Sequence, residues 1–231
     1  MNTFYNIGNT FYQNSSACNP KSQVSFGQRQ NLNKIWDYTD KLLLNKINQN
    51  KNAPFSKIPQ LNFIEKLLSA SQINVRFKEN LKLGIFIKDK LDKMQKLDLE
   101  LPKNILFFPS ILFDLTAIKG LTYNFFNNCK QSVIILPKNI YKKKDGEQTF
   151  FHEAGHWLHF QENYDVEKNC EIWHQNANLE RIKEVVSKSA TKVNDGSELC
   201  AEIFSRQMLG EDLPEDIIEL AEKLSCPIIK R

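Results

Sequence analysis

Three of the four histidines in this chain lie close together, in the segment from His152 to His159. His152 and His156 are four residues apart, and residues with this spacing lie on the same face of an α-helix. Two imidazoles on one helical face can bind one metal ion, and the pattern His-Glu-x-x-His on a helix is typical of zinc hydrolases. The residue types and their spacing therefore predict that His152 and His156 are metal ligands.

The residue after the first histidine, Glu153, is predicted to be the general base. On a helix it projects beside the metal without binding it, where it can accept a proton from a water molecule that attacks a carbonyl carbon. A catalytic zinc ion is typically held by three side chains and one water, whose pKa the metal lowers to about 7. The motif thus predicts hydrolysis by a metal-activated water, and it requires a third ligand from elsewhere in the chain.

Gly155 lies inside the same predicted helix, where glycine costs about 1 kcal/mol relative to alanine. A glycine at such a position indicates that another group approaches the helix closely. We expect a strand or a substrate to lie against the helix at this point.

The third ligand is predicted on a second helix, which follows the turn-forming pair Asp195-Gly196 and has Ser197 as its expected N-cap. Glu198 and Glu202 are four residues apart and share a face of this helix. We assign Glu198 as the metal ligand and Glu202 as the acceptor for the remaining N–H of a ligand histidine. The alternative is that these acids only stabilise the helix dipole, which would explain Glu198 better than Glu202.

Other candidates for the third ligand remain open. Glu162 has the spacing of the metzincin ligand, but that pattern requires glycine three residues after the second histidine, where this chain has His159. His159 is predicted to be partly buried or to support a ligand. His174, beside Trp173, is predicted to take part in ordinary packing.

Together, the His-Glu-x-x-His segment and the Glu-x-x-Ala-Glu-x-Phe segment that starts at Glu198 resemble the gluzincin metallopeptidases, and most of all the group of anthrax lethal factor and Pro-Pro endopeptidase. The resemblance covers roughly residues 105 to 210. It implies a zincin-like α+β fold, a Zn²⁺ cofactor and a zinc metalloendopeptidase that acts on a peptide or protein substrate. It also implies that Glu198 binds zinc and that Glu202 supports a ligand histidine.

The chain departs from this group at one position. The group usually carries a tyrosine shortly before the ligand glutamate, where it stabilises the oxyanion, and this chain has Thr191 there. Tyr164, His174 or Lys192 would have to supply that hydrogen bond instead. This departure keeps open a catalytically weak or inactive zincin-like binding protein. A separate alternative, an exported effector or toxin protease, would share the chemistry but differ in partner and location.

Three short segments before the motif are rich in branched and aromatic residues and are predicted strands: 104–108, 121–126 and 132–136. In zincins of the resembled group an edge strand pairs with an extended substrate, and edge amides favour such pairing. If the second segment is a strand, Phe125 and Phe126 cannot both face inward. The candidate substrate strand consists of Leu121, Thr122, Tyr123, Asn124 and Phe125.

Amphipathic periodicity predicts helices that flank these strands. The predicted helices are 31–48, 60–70, 81–97, 148–160, 179–186 and 214–224. The expected fold class is α+β, mainly helical, with a small mixed sheet beside the metal-binding helix. Residues 1–30 are predicted to be a disordered tail, 31–100 a helical N-terminal part and 101–231 the zincin-like catalytic part, with 31–231 forming one compact unit.

Composition limits the partners and the compartment. The formal net charge of +4 is mild and no basic stripe with interleaved aromatic residues is visible, so we expect no nucleic-acid partner. The five cysteines are far apart without a Cys-x-x-Cys pair, which favours a reducing compartment without disulfides. The amino terminus lacks a standard signal peptide and no apolar run is long enough to span a membrane, so the expected location is cytoplasmic. Export by a specialised secretion system would leave no such signal, and the sequence predicts no oligomeric state.

Overall fold

The computed structural model describes residues 26–116, 118–125, 128–161 and 164–229, with the side chains of 26–36 and 128–131 excepted. Most of the predicted tail, Glu162 and Phe126 lie outside the described residues. The fold divides into two compact units, one spanning Val24–Phe150 and the other containing Phe151–Arg231. Each unit is described separately below.

The first unit begins with three helices, α1 (Phe26–Asn52), α2 (Pro59–Ala70) and α3 (Leu81–Lys96). All three were predicted, although α1 is longer than the predicted segment. Their start signals are local: α2 has proline at its amino terminus, where the missing N–H costs nothing. The Asn80 side chain caps α3 by accepting a hydrogen bond from the Leu83 amide at 3.1 Å.

A three-stranded mixed sheet completes the first unit. Its strands are β1 (Ile105–Phe108), β2 (Leu121–Phe125) and β3 (Asn128–Pro137), and a short helix, α4 (Ser110–Thr116), connects β1 to β2. The spatial order is β1-β3-β2, with β1 parallel and β2 antiparallel to the central strand β3. The predicted small mixed sheet is therefore confirmed, and so is the position of β2 at an edge.

The edge strand β2 forms a hydrogen bond to helix α1 of its own unit. The hydroxyl group of Tyr123 donates a 2.6 Å hydrogen bond to Asp40 on α1, and both side chains are buried. Phe125 is buried as well. The use of this strand for substrate binding stays a prediction.

The second unit is helical among its described residues. Helix α5 (Gly146–His159) runs from the first unit into the second and is followed by α6 (Val166–Asn176), α7 (Leu179–Val185), α8 (Ser197–Met208) and α9 (Glu215–Lys223). A 3₁₀ turn at Ser189–Thr191 connects α7 to α8. Helix α6 was not predicted, although its N-cap Asp165, whose side chain accepts from the Lys168 amide, is a recognisable start signal.

Helix α8 lies at the centre of this unit, since most of its side chains are buried. The apolar core around it draws residues from the helices and turns that follow α5. Its buried members are Trp173, Ile182, Ala190, Leu199, Cys200, Ile203, Ile217, Leu220, Ala221, Leu224 and Cys226. Burial on nearly all sides fixes the position of α8, and with it the position of the two glutamates that α8 carries.

A disulfide joins Cys200 on α8 to Cys226, just after α9. The expectation that the chain contains no disulfide was therefore wrong. The two cysteines are 26 residues apart, and that separation gives no sequence signal of pairing because only the packing of α9 against α8 brings them together.

In the described part of the chain, no helix is both long enough and apolar enough to cross a membrane. The coarse fold class, mixed α+β with a majority of helices and a small sheet, is the one expected.

Candidate metal centre

His152, His156 and Glu198 come together in the second unit and form a group that can hold a metal ion. The two Nε2 atoms of the histidines are 3.1 Å apart. Glu198 Oε2 lies 3.5 Å from Nε2 of His152, and Glu198 Oε1 lies 3.5 Å from Nε2 of His156. The three residues assigned as ligands from their spacing thus face one another across α5 and α8.

These separations match the geometry of a small tetrahedral metal site. Zinc binds imidazole nitrogen and carboxylate oxygen at about 2.0–2.2 Å, so two ligand atoms at tetrahedral angles are about 3.3 Å apart. The observed values of 3.1 and 3.5 Å lie on either side of this distance. The two Glu198 distances are to different oxygens of the same carboxylate, Oε2 for His152 and Oε1 for His156. Two nitrogens and one carboxylate are also ligand types that zinc accepts, so the residues present fit the ion in type and in approximate spacing.

Two of the three side chains in this group are partly exposed to solvent. The side chains of His152 and Glu198 are 19% and 18% exposed, whereas that of His156 is 3% exposed. A metal site built from three protein ligands with one accessible side has room for a water molecule or a substrate, whereas a structural zinc site is closed by four protein ligands.

Glu153 lies next to this group on α5, and its side chain is buried. Its negative charge is close enough to contribute to raising the pKa of His152. The role of Glu153 as the general base stays a prediction.

Helices α5 and α8 approach each other closely at Gly155. A Cβ atom at this position would lie 3.0 Å from the Cα of Ala201 and 3.1 Å from the Cβ of Phe204. The expected close approach is therefore present, but the prediction of a strand or substrate as the neighbour was wrong, because the neighbour is α8. This contact explains how the histidines of one helix reach the glutamate of the other.

The start of α8 is fixed by residues just before it. Gly196 occupies the N-cap position with φ of 71°, a left-handed conformation that favours glycine. Asp195 accepts hydrogen bonds from the Ser197 amide at 3.0 Å and from the Ser197 hydroxyl at 2.7 Å. Ser197 is thus the first helical residue, which corrects its prediction as the N-cap, and Asp195 supplies the capping carboxylate one turn before Glu198.

Histidine and glutamate hold each other in charged forms in this group. Burial lowers the pKa of His152, but the contact with Glu198 and the charges of Glu153 and Glu202 outweigh it and raise that pKa to about 9. Burial raises the pKa of Glu198, but His152 and His156 outweigh it and bring that pKa well below its usual range. Glu198 is therefore a carboxylate, the form that binds a cation, whereas His152 has to release a proton to bind one.

Glu202 lies near Nδ1 of His152, but the predicted hydrogen bond between them is not formed. Its Oε1 is 4.0 Å from Nδ1 of His152, which is within ion-pair range but longer than a hydrogen bond. The same oxygen accepts a 2.7 Å hydrogen bond from the hydroxyl of Ser189. Ser189 was not identified from the sequence, because it lies 13 residues before Glu202 and in a different element.

The residues considered as replacements for the missing tyrosine either donate a hydrogen bond to another group or are exposed, and the hydroxyl of Thr191, which occupies the tyrosine position, also has another acceptor. The Tyr164 hydroxyl donates a 2.5 Å hydrogen bond to Asp195, and the Thr191 hydroxyl donates to the backbone carbonyl of Lys188 at 3.1 Å. His174 and Lys192 are exposed.

His159 does not join the ligand group and instead supports the carboxyl-terminal segment. It is buried, and its Nε2 lies 3.1 Å from the carbonyl oxygen of Leu224, while its Nδ1 has no hydrogen-bond partner. The neutral tautomer with a proton on Nε2 fits these surroundings. Burial without an acceptor at Nδ1 lowers the pKa of His159 to about 4.

Comparison with protein-family models, with characterised proteins and with solved structures found no match for this chain. Any function must therefore be argued from the residues and their geometry.

Proposed function

We propose that this protein is a zinc-dependent metalloendopeptidase. The observation that carries the proposal is that His152, His156 and Glu198 come together with ligand atoms close enough to share one metal ion. The resemblance to gluzincins in the two motifs gives the same ligand set, and the partial exposure of His152 and Glu198 agrees with catalysis.

Each residue has a distinct role in this proposal. His152, His156 and Glu198 would hold zinc, which when bound would act as a Lewis acid toward a scissile carbonyl and an attacking water. Glu153 accepts the proton of the attacking water and delivers it to the leaving amine. Glu202 faces Nδ1 of His152 and keeps that imidazole in the orientation in which Nε2 points to the ligand group.

A peptide or protein is the proposed substrate. The support for it is the motif resemblance, since the peptidases of the resembled group act on peptides or proteins.

The test combines metal content with cleavage. Purified wild-type protein is expected to contain or bind one zinc ion and to cleave members of a random peptide library. Glu153→Gln is expected to bind zinc equally well and to cleave about 10²- to 10⁴-fold more slowly, since it keeps the shape of the side chain but removes the base. A Glu153→Gln variant that cleaves at the wild-type rate would refute the assignment of Glu153.

A second candidate, a metal-binding protein without catalysis, is favoured by one observation. The hydroxyl groups of Tyr164 and Thr191 both donate hydrogen bonds to other acceptors. In peptidases of the resembled group, a tyrosine hydroxyl instead stabilises the oxyanion. This candidate predicts zinc binding that depends on His152, His156 and Glu198, with no cleavage of any peptide by wild-type protein.

A further inference from the structure

We propose that Ser189 is a positioning residue of the metal centre, acting through Glu202 on His152. This inference rests on the proposed function, because it assigns a role in zinc binding. It concerns a residue outside both motifs, in the 3₁₀ turn between α7 and α8.

The first step of the argument is the state of Glu202. Its side chain lies on a buried helix and is itself buried, so its carboxylate needs hydrogen-bond donors. The hydroxyl of Ser189 is such a donor, at 2.7 Å from Oε1. Because a carboxylate can rotate about its last side-chain bond, a donor at fixed position determines where its oxygen atoms lie.

The second step is that the donor itself is fixed. The Ser187 hydroxyl accepts a hydrogen bond from the Ala190 amide at 3.1 Å and lies 2.7 Å from the Ser189 hydroxyl. Ala190 is fully buried in the core of this unit. The turn is therefore anchored on both sides of Ser189, and its hydroxyl can donate to Glu202 while it accepts from Ser187.

The third step connects this pair to the metal. The oxygen that Ser189 binds, Oε1 of Glu202, is also the one that lies 4.0 Å from Nδ1 of His152. Nε2 of the same imidazole faces His156 and Glu198. At this ion-pair distance, a side chain that sets the position of Glu202 influences the orientation of one proposed zinc ligand, and supporting groups typically change metal affinity about 10- to 100-fold.

The test is a double-mutant cycle on zinc affinity, measured by competition with a chromogenic zinc chelator. Ser189→Ala is expected to weaken zinc binding about 3- to 10-fold, since Ser189 acts one step further from the ligand than Glu202. In a Glu202→Ala background, Ser189→Ala is expected to have no further effect, because the group through which it acts has gone. A turn that mattered only for folding would give additive losses instead.

Two variants separate positioning from simple damage to the turn. Ser189→Thr keeps the hydroxyl and is expected to restore wild-type affinity. Thr191→Ala is the matched control: Thr191 lies in the same turn and its hydroxyl bonds to Lys188 rather than to Glu202, so zinc affinity should not change.

The outcomes distinguish this inference from the proposed function. If wild-type protein binds no zinc, the proposed function fails. If wild-type protein binds zinc but Ser189→Ala binds it as tightly, or if the losses from Ser189→Ala and Glu202→Ala add in the double variant, the role of Ser189 is refuted while the zinc site stands.

Discussion

At the scale of single residues, the two glutamates of α8 lie one helical turn apart but face different atoms. The two oxygens of Glu198 each lie 3.5 Å from one histidine Nε2, Oε2 from that of His152 and Oε1 from that of His156. Glu202 instead approaches Nδ1 of His152, on the other side of the ring. One carboxylate is therefore placed to share a cation with the imidazoles, and the other to orient an imidazole. Their roles can be separated by mutation.

We expect Glu198→Ala to reduce zinc affinity by at least about 10³-fold, because it removes one of three proposed ligands. Glu202→Ala should reduce zinc affinity only about 10- to 100-fold, since it removes a supporting contact. Both zinc affinities are measured by competition with a chelator, and circular dichroism checks that each variant is folded. The reverse order of the two losses would exchange the assignments of ligand and support.

His159 gives a prediction about acid stability. Its pKa is about 4 in the folded protein and 6.5 when exposed, so between these pH values the unfolded chain takes up a proton that the folded chain does not. Stability from this residue is complete above about pH 6.5 and is lost as the pH falls toward 4, by about 3 kcal/mol in all. Asp195 favours the charged form of His159, and His156 opposes it.

The measurement is the free energy of unfolding in urea at several pH values, with a chelator present. His159→Gln should show a shallower loss of stability with acid than wild type, because glutamine can still donate to the Leu224 carbonyl but does not titrate. Equal pH dependence in the two proteins would mean that another group causes the acid loss.

At the scale of elements, the metal centre depends on how closely α5 and α8 pack. Gly155 permits the contact, since a Cβ there would lie within 3.2 Å of three atoms of α8. The imidazoles come from one helix and the carboxylate from the other, so the distance between the helix axes sets the ligand spacing.

Gly155→Ala should therefore weaken zinc binding more than it weakens the fold. Alanine gains about 1 kcal/mol of helix propensity, whereas overpacking against Ala201 and Phe204 costs about 1–3 kcal/mol. The net loss of stability is expected to be about 0–2 kcal/mol, while the outward shift of α8 should reduce zinc affinity about tenfold. Urea unfolding and chelator competition measure the two effects, and unchanged zinc affinity would show that the ligands do not depend on this contact.

At the scale of the whole molecule, the chain closes a covalent loop around the carboxyl-terminal helix. The disulfide joins Cys200, which lies between the two glutamates of α8, to Cys226, next to the Leu224 carbonyl that meets His159. The last described segment is thus fastened to the helix that carries the proposed third ligand.

A crosslink between residues 26 apart should stabilise the fold by about 3–4 kcal/mol, because it restricts the unfolded chain. Without reductant, the double variant Cys200→Ala/Cys226→Ala is expected to unfold at correspondingly lower urea concentration than wild type. With a dithiol reductant present, this difference should disappear. A difference that persists at full size under reduction would show that packing, and not the bond, accounts for the loss.

Much of the site could be predicted from local spacing. Patterns that repeat every few residues predicted the helices that contain His152 and Glu198 and the strands of the mixed sheet. The same patterns predicted that His152 shares a helix face with His156, and Glu198 with Glu202. The pairing of His152 with His156 was predictable for this reason, because two residues four apart on a helix are neighbours whatever the rest of the fold does.

The tertiary structure decided what lies between those segments. The packing of α8 against Gly155, the hydrogen bond from Ser189 to Glu202 and the pairing of Cys200 with Cys226 all join residues that are far apart in sequence. Such contacts depend on how a whole core packs. Many different sequences can pack a core of the same volume, so no short sequence pattern specifies these contacts. The sequence alone therefore determined which side chains could bind a metal, and only the folded chain determined that their ligand atoms lie close enough to share one ion.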